Sequence, residues 1–203
     1  MALVPRLVKT TSAQAGGGNG ALTALAARVG ALLKKRDRPD GRPETISVFE
    51  ATTGGLINAS LQSVPGASRY YHGGANIYGR IGYKLYPKDL AVELSKGGAT
   101  DGNSNYASEK AYHNSKVHHT TTITSYMVGH LGSDWCIAES GATGPTFAPP
   151  DCHTGFTAIA VVGPGVSEVI VVESDTANRE ENMWQFTAAA FELLEKVLTA
   201  PKL

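Results

Sequence analysis

The sequence predicts a single α/β domain: one mixed β-sheet with helices on both faces. Three observations predict it. Apolar runs near 45–50 and 133–139 each lead into a glycine-containing turn, and the first turn opens a helix. Two further β-branched runs, 155–162 and 166–174, are separated by Gly163-Pro-Gly165 and form an antiparallel pair. A fifth strand is expected at 69–78, and the intervening segments carry apolar residues at helical spacing.

Taken in order, residues 1–19 form a flexible arm, because Ala15-Gly-Gly-Gly-Asn-Gly20 is rich in residues that order poorly. The domain occupies 20–203. Leu22, Leu25, Val29, Leu32 and Leu33 mark an amphipathic helix over about 20–36, and Arg38-Pro-Asp-Gly-Arg-Pro43 is a turn cluster. The buried strand from Thr45 crosses Glu50-Ala-Thr-Thr-Gly-Gly55 and enters a helix bearing Leu56, Ile57 and Leu61. Proline at 65 ends that helix. Thr53, just before the two glycines, reads as its N-cap. Pro87 opens another helix from its first turn, and 97–105 is a loop. Residues 108–130 form a polar helix without breakers until Gly129. Its His113, His118, His119 and His130 read as surface or interface histidines, since their spacing suits no shared metal. The last helix, 178–198, offers Trp184, Phe191, Leu194 and Leu198 to the core.

Eighteen basic and eighteen acidic residues balance, so nothing drives the chain towards nucleic acid or a lipid surface. No apolar run reaches the length of a membrane span. Cys136 and Cys152 lack metal-ligand spacing, and Cys136 sits in an apolar run as a core residue. No metal or cofactor is expected. The start Met1-Ala-Leu-Val-Pro-Arg breaks any secretory apolar region early, which implies an intracellular, cytoplasmic protein. The first acidic residue is Asp37, so an organellar transit peptide is the alternative to a basic helix end.

Three stretches carry a family likeness: Glu50-Ala-Thr-Thr-Gly-Gly-Leu56, Ser63-Val-Pro-Gly-Ala-Ser68 and Tyr70-Tyr-His-Gly-Gly-Ala-Asn-Ile-Tyr78. Together with Glu139-Ser-Gly-Ala-Thr-Gly-Pro145 and Arg179-Glu-Glu-Asn-Met-Trp-Gln-Phe186, they resemble the CinA C-terminal domain family. That family includes the nicotinamide-mononucleotide amidohydrolases. The resemblance covers about 20–198 and implies the same mixed α/β fold, a homo-oligomer with 108–130 near a contact, and a nicotinamide nucleotide-like ligand. The arm before residue 20 is free to meet a protein partner.

Amide hydrolysis by a hydroxyl needs a nucleophile, a base and donors for the oxyanion. The resemblance implies a Ser/Lys arrangement, but the serine position here is Ala51 and the ungapped lysine position is Tyr83, with Lys84 one place later. The expected reading is therefore a domain that has lost hydrolysis and serves as a binding or structural subunit. The alternative is an amidohydrolase with Thr52 or Thr53 as a relocated nucleophile and Lys84 as base. Glu50, Gly54, Gly55, Tyr78, Ser140, Gly141, Gly144 and Arg179 are the candidate ligand-binding residues. The turn after the first strand leaves backbone N–H groups suited to a phosphate or an oxyanion, or its glycines simply allow close packing.

Overall fold

The computed structural model describes residues 4–10, 18–97, 108–146 and 154–200. In chain order these form β1 (Arg6–Thr10), α1 (Gly18–Lys34), β2 (Ile46–Glu50), α2 (Leu56–Ser63), β3 (Tyr71–Asn76), α3 (Lys88–Ser95) and α4 (Glu109–Leu131). β4 (Trp135–Ala142), β5 (Phe156–Gly163), β6 (Val166–Ser174) and α5 (Arg179–Thr199) complete the set, and a short 3₁₀ segment spans Arg80–Leu85.

One six-stranded sheet runs in the order β1-β6-β5-β4-β2-β3. β4, β2 and β3 are mutually parallel neighbours, β1 is parallel to β6, and β5 runs antiparallel to both β4 and β6. The five expected strands are present, with ends shifted by up to three residues. Their alternation sets the layers. Ile46, Val48, Trp135, Ile137, Ile159, Val161, Ile170 and Val172 pack with Leu22 and Val29 of α1, Ile57 and Leu61 of α2, and Phe186 and Phe191 of α5. On the other face, Phe49 and Ala138 meet Leu90 and Leu94 of α3 and Ile123 of α4, while Tyr112 of α4 covers Ala142, Phe156 and Ala158.

The polar helix α4 is tolerated because its hydroxyls bond within the helix. Thr120, Thr121 and Thr124 donate to the carbonyls of Lys116, Val117 and Thr120 at 3.0, 2.8 and 3.0 Å. Ser108 caps its start by accepting from the Ala111 N–H at 3.2 Å. The histidine expectation needs one correction: His119 is buried, with its ring 5.9 Å from that of Phe49. Burial and the nearby Lys116 charge push its imidazole down to about 3, so it is neutral. Cys136 is a free, buried thiol as expected, pushed up to about 12 by burial. Cys152 lies outside the described residues.

The arm holds a strand that the sequence reading did not place. Arg6–Thr10 pairs along β6, and Thr10 donates to the Gln185 side chain at 2.6 Å. The rest of the arm, 1–3 and 11–17, lies outside the described residues, as does most of the Phe147–Thr154 segment.

At the amino-terminal ends of β2 and β4, Arg36 binds Glu44 at 2.8 Å, Glu44 accepts from the Trp135 indole at 2.7 Å, and Arg38 binds Asp134 at 2.7 Å. These bonds tie the starts of the two parallel strands together. Their carboxyl ends are left for the glycine turns.

Candidate functional site

β2 and β4 are adjacent and parallel, with Ile46 opposite Trp135 and Phe49 opposite Ala138. Both therefore deliver their turns, 51–55 and 143–145, to the same carboxyl end of the sheet. This is the end where open α/β sheets hold ligands. Gly54 and Gly55 adopt φ of 69° and 98°, a region other residues enter at a cost. Gly141 lies so close to β5 that a Cβ there would sit 2.0 Å from the Phe156 carbonyl oxygen.

Side-chain alternation sends Glu50 and Glu139 to the α2 face, and both are fully buried. Glu50 folds over the start of α2. It accepts from the N–H groups of Gly55, Ile57 and Asn58 at 2.9, 3.1 and 2.6 Å, and from the Asn58 amide at 2.6 Å. Tyr71 donates to the other end of that Asn58 side chain. Glu139 accepts from the Thr52 and Thr53 N–H groups at 2.8 and 2.9 Å, more weakly from Ala51 at 3.4 Å, and from the Thr52 hydroxyl. The Thr53 hydroxyl lies 2.6 Å from Glu50 and 2.8 Å from Glu139.

Two expectations change. Gly55, not Thr53, is the N-cap of α2, and no side chain of that residue serves it; the Glu50 carboxylate takes the cap's role. The backbone donors expected to face a phosphate or an oxyanion are occupied by Glu50 and Glu139. The signal for this was the charged residue closing the otherwise apolar run 135–139. Burial pushes the Glu139 carboxyl up, Glu50's charge adds to that, and the bonds from Thr52 and Thr53 oppose without reversing it.

The opposite face of the same turn is apolar. Ala51 belongs to the cluster of Phe49, Ile77, Leu90, Leu94, Ile123 and Ala138, and Tyr83 and Tyr86 pack against it. The two tyrosine rings stack with centroids 5.4 Å apart. Ser140, 4% exposed, shares this side with Ala138 and Ala142. Lys84 is exposed and its side chain makes no hydrogen bond or ion pair among the described residues. The structure therefore joins Thr52 and Thr53 to glutamates and pairs neither with Lys84. It does unite Tyr78 and Arg179: the guanidinium donates to the Tyr78 hydroxyl at 3.1 Å and lies 5.9 Å from its ring centroid. Gly144 adopts φ 76° before the cis peptide to Pro145.

The sequence reading missed Lys116. It lies on the sheet side of α4 between Tyr112 and His119, with its ammonium 5.3 Å from the Tyr112 ring centroid. Burial lowers it to about 8, against the opposing pull of Glu139. It has no ion-pair partner among the described residues. No group of three or more His, Cys, Asp and Glu suited to a metal occurs among the described residues. Nor is any described helix long and apolar enough to cross a membrane.

A three-layer α/β domain with paired glycine turns at one end of the sheet is the class that fold and site define. Similarity narrows it. The model of the CinA C-terminal domain matches residues 22–84 and 114–198, so the chain belongs to that family. Among curated relatives, CinA-like proteins of Prochlorococcus marinus strain AS9601 and Parasynechococcus marenigrum are 30% and 32% identical over 142 residues, 69% of this chain. The chain spans only 30% and 28% of their lengths. Solved structures of CinA superfamily proteins share the fold. That from Enterobacter cloacae aligns with TM-score 0.66 at 16% identity, over 88% of this chain and 92% of the other. The competence/damage-inducible protein CihA from Agrobacterium tumefaciens aligns with TM-score 0.61 at 19% identity, over 98% and 100%.

Proposed function

We propose that this CinA-like domain has lost serine-type amide hydrolysis and acts as a non-catalytic binding or structural subunit. One observation carries the reading. Ala51 and Tyr83, the positions implied for nucleophile and base, are packed into one apolar cluster. Neither alanine nor a tyrosine raised by burial supplies the missing chemistry. The turn donors that would serve an oxyanion are also occupied by Glu139. The homo-oligomer, a protein partner for residues 1–20 and a nicotinamide nucleotide-like ligand at Tyr78 and Arg179 belong to the same proposal.

A second reading keeps nicotinamide mononucleotide hydrolysis, with Thr52 as nucleophile. The hydrogen bond from its hydroxyl to Glu139 favours that reading, because a nucleophile touching a carboxyl group is a nucleophile–base geometry. Ammonia release from nicotinamide mononucleotide separates the two. The subunit reading expects no turnover by the native chain, and the double variant A51S/Y83K is the comparison. Turnover abolished by Thr52→Ala would establish the second reading and end the first.

A further inference from the structure

The two buried glutamates meet at a single hydroxyl. The Thr53 hydroxyl has one proton to give and lies within hydrogen-bond distance of a carboxyl oxygen on each side, 2.6 Å from Glu50 and 2.8 Å from Glu139. Were both carboxyls ionised, one of those contacts would oppose two sets of lone pairs. Three of the remaining partners of Glu50 are backbone N–H groups and the fourth is the Asn58 amide nitrogen, none with a lone pair to offer. An ionised Glu50 also suits the positive end of α2. Its nearer contact takes the Thr53 proton. The Thr53–Glu139 contact then needs its proton from Glu139.

We infer that Glu139 is a neutral carboxylic acid in the folded protein, and that Glu50, Thr53 and Glu139 share its proton as a latch between the two glycine turns. In this chain Glu139 donates its O–H to the Thr53 hydroxyl oxygen while Thr53 donates its own proton to Glu50, and when Glu139 ionises its proton leaves to solvent. The direction in which burial moves the Glu139 carboxyl agrees with this. The charged groups bearing on it are Glu50 from the β2 turn, which favours the protonated form, and Lys116 from α4, which opposes it. Its cross-strand neighbour on β5, Ile159, is uncharged, and so is Met183 of α5, which lies against Gly54.

The inference goes beyond the proposed function and bears on its rival. A protonated Glu139 can still accept a hydrogen bond from Thr52 through its remaining lone pairs, but it is far less basic than a carboxylate, so it is a poor base for that step.

Carboxyl-carbon nuclear magnetic resonance on glutamate-labelled protein tests the inference, comparing the native chain with Glu139→Gln. One resonance should vanish in E139Q, and in the native protein it should hold the neutral-acid position at pH 6, where ordinary glutamates (pKa about 4.3) are ionised. Finding it at the carboxylate position at pH 6 would overturn the inference. If E139Q does not fold, Thr53→Val shifts the resonances of Glu50 and Glu139 together, and in the native protein one of the two should hold the neutral-acid position at pH 6. Both shifted resonances at the carboxylate position at pH 6 overturn the inference equally. Ammonia release is a separate readout, so failure here leaves the proposed function standing.

Discussion

The α2 side and the α4 side of the turn after β2 solve opposite problems within a few residues. On the α2 side, Glu50 and Glu139 bring two carboxyls into the interior and surround them with backbone N–H groups and threonine hydroxyls. On the α4 side, Ala51 and Tyr83, which the family likeness implies as the nucleophile and base positions, contribute to an apolar cluster. Buried polar groups are costly only when unpaired. The polar side is therefore held by completeness of bonding and the apolar side by packing, and each should respond differently to substitution.

The largest effect is expected from Glu139→Ala. It leaves the Thr52 and Thr53 N–H groups buried without acceptors and should cost about 3–5 kcal/mol in urea unfolding. A loss below about 1 kcal/mol would break the contrast. Glu139 also sets a pH dependence. Its folded-state value is raised, so its contribution is fully present below the unfolded glutamate value and is lost as pH rises through the folded one. E139Q should flatten that fall.

Lys116→Met should stabilise the protein at pH 7 by roughly 1–2 kcal/mol, since burial opposes the ammonium charge. The sign is opposite to that of Glu139. A lysine lowered from 10.5 to about 8 costs stability progressively as pH falls from about 10 to 8 and fully below 8, so the difference between K116M and the native chain should shrink as pH rises from 8 to 10. Smaller still, Ala51→Ser should cost about 1 kcal/mol by placing a hydroxyl in the apolar cluster. Arg179→Ala should change stability by less than about 0.5 kcal/mol, because its contact with the exposed Tyr78 lies in solvent. A larger loss would make Arg179 structural.

The frame was legible because its signals are local. β-branched runs marked four strands, and Pro65 and the glycine pair 54–55 marked where the chain turns. Helix α4 was legible from the absence of breakers, although its apolar residues follow no period. β1 was not, because five residues with Arg6 and Lys9 exposed on a sheet edge carry little pattern. Tyr78 and Arg179 were each candidates, but their contact spans 101 residues and nothing local announces it. The partnership of Glu139 with Thr52 and Thr53 depends on β4 lying parallel beside β2, and no spacing along the chain announces a neighbour 86 or 87 residues away. Lys116 escaped notice for the same reason: only packing against the sheet distinguishes it from the surface lysines of any polar helix.

The edge strand β1 pairs with β6, whose residues come more than 150 positions later in the chain. During synthesis, Arg6–Thr10 is made before β6 and finds this partner only once β6 has followed. Among the described strands, the one that finishes this side of the sheet is thus made first and must wait for its neighbour. Until it docks, the backbone edge of β6 stays open to any other extended segment. Timing, as much as affinity, decides which strand closes the sheet.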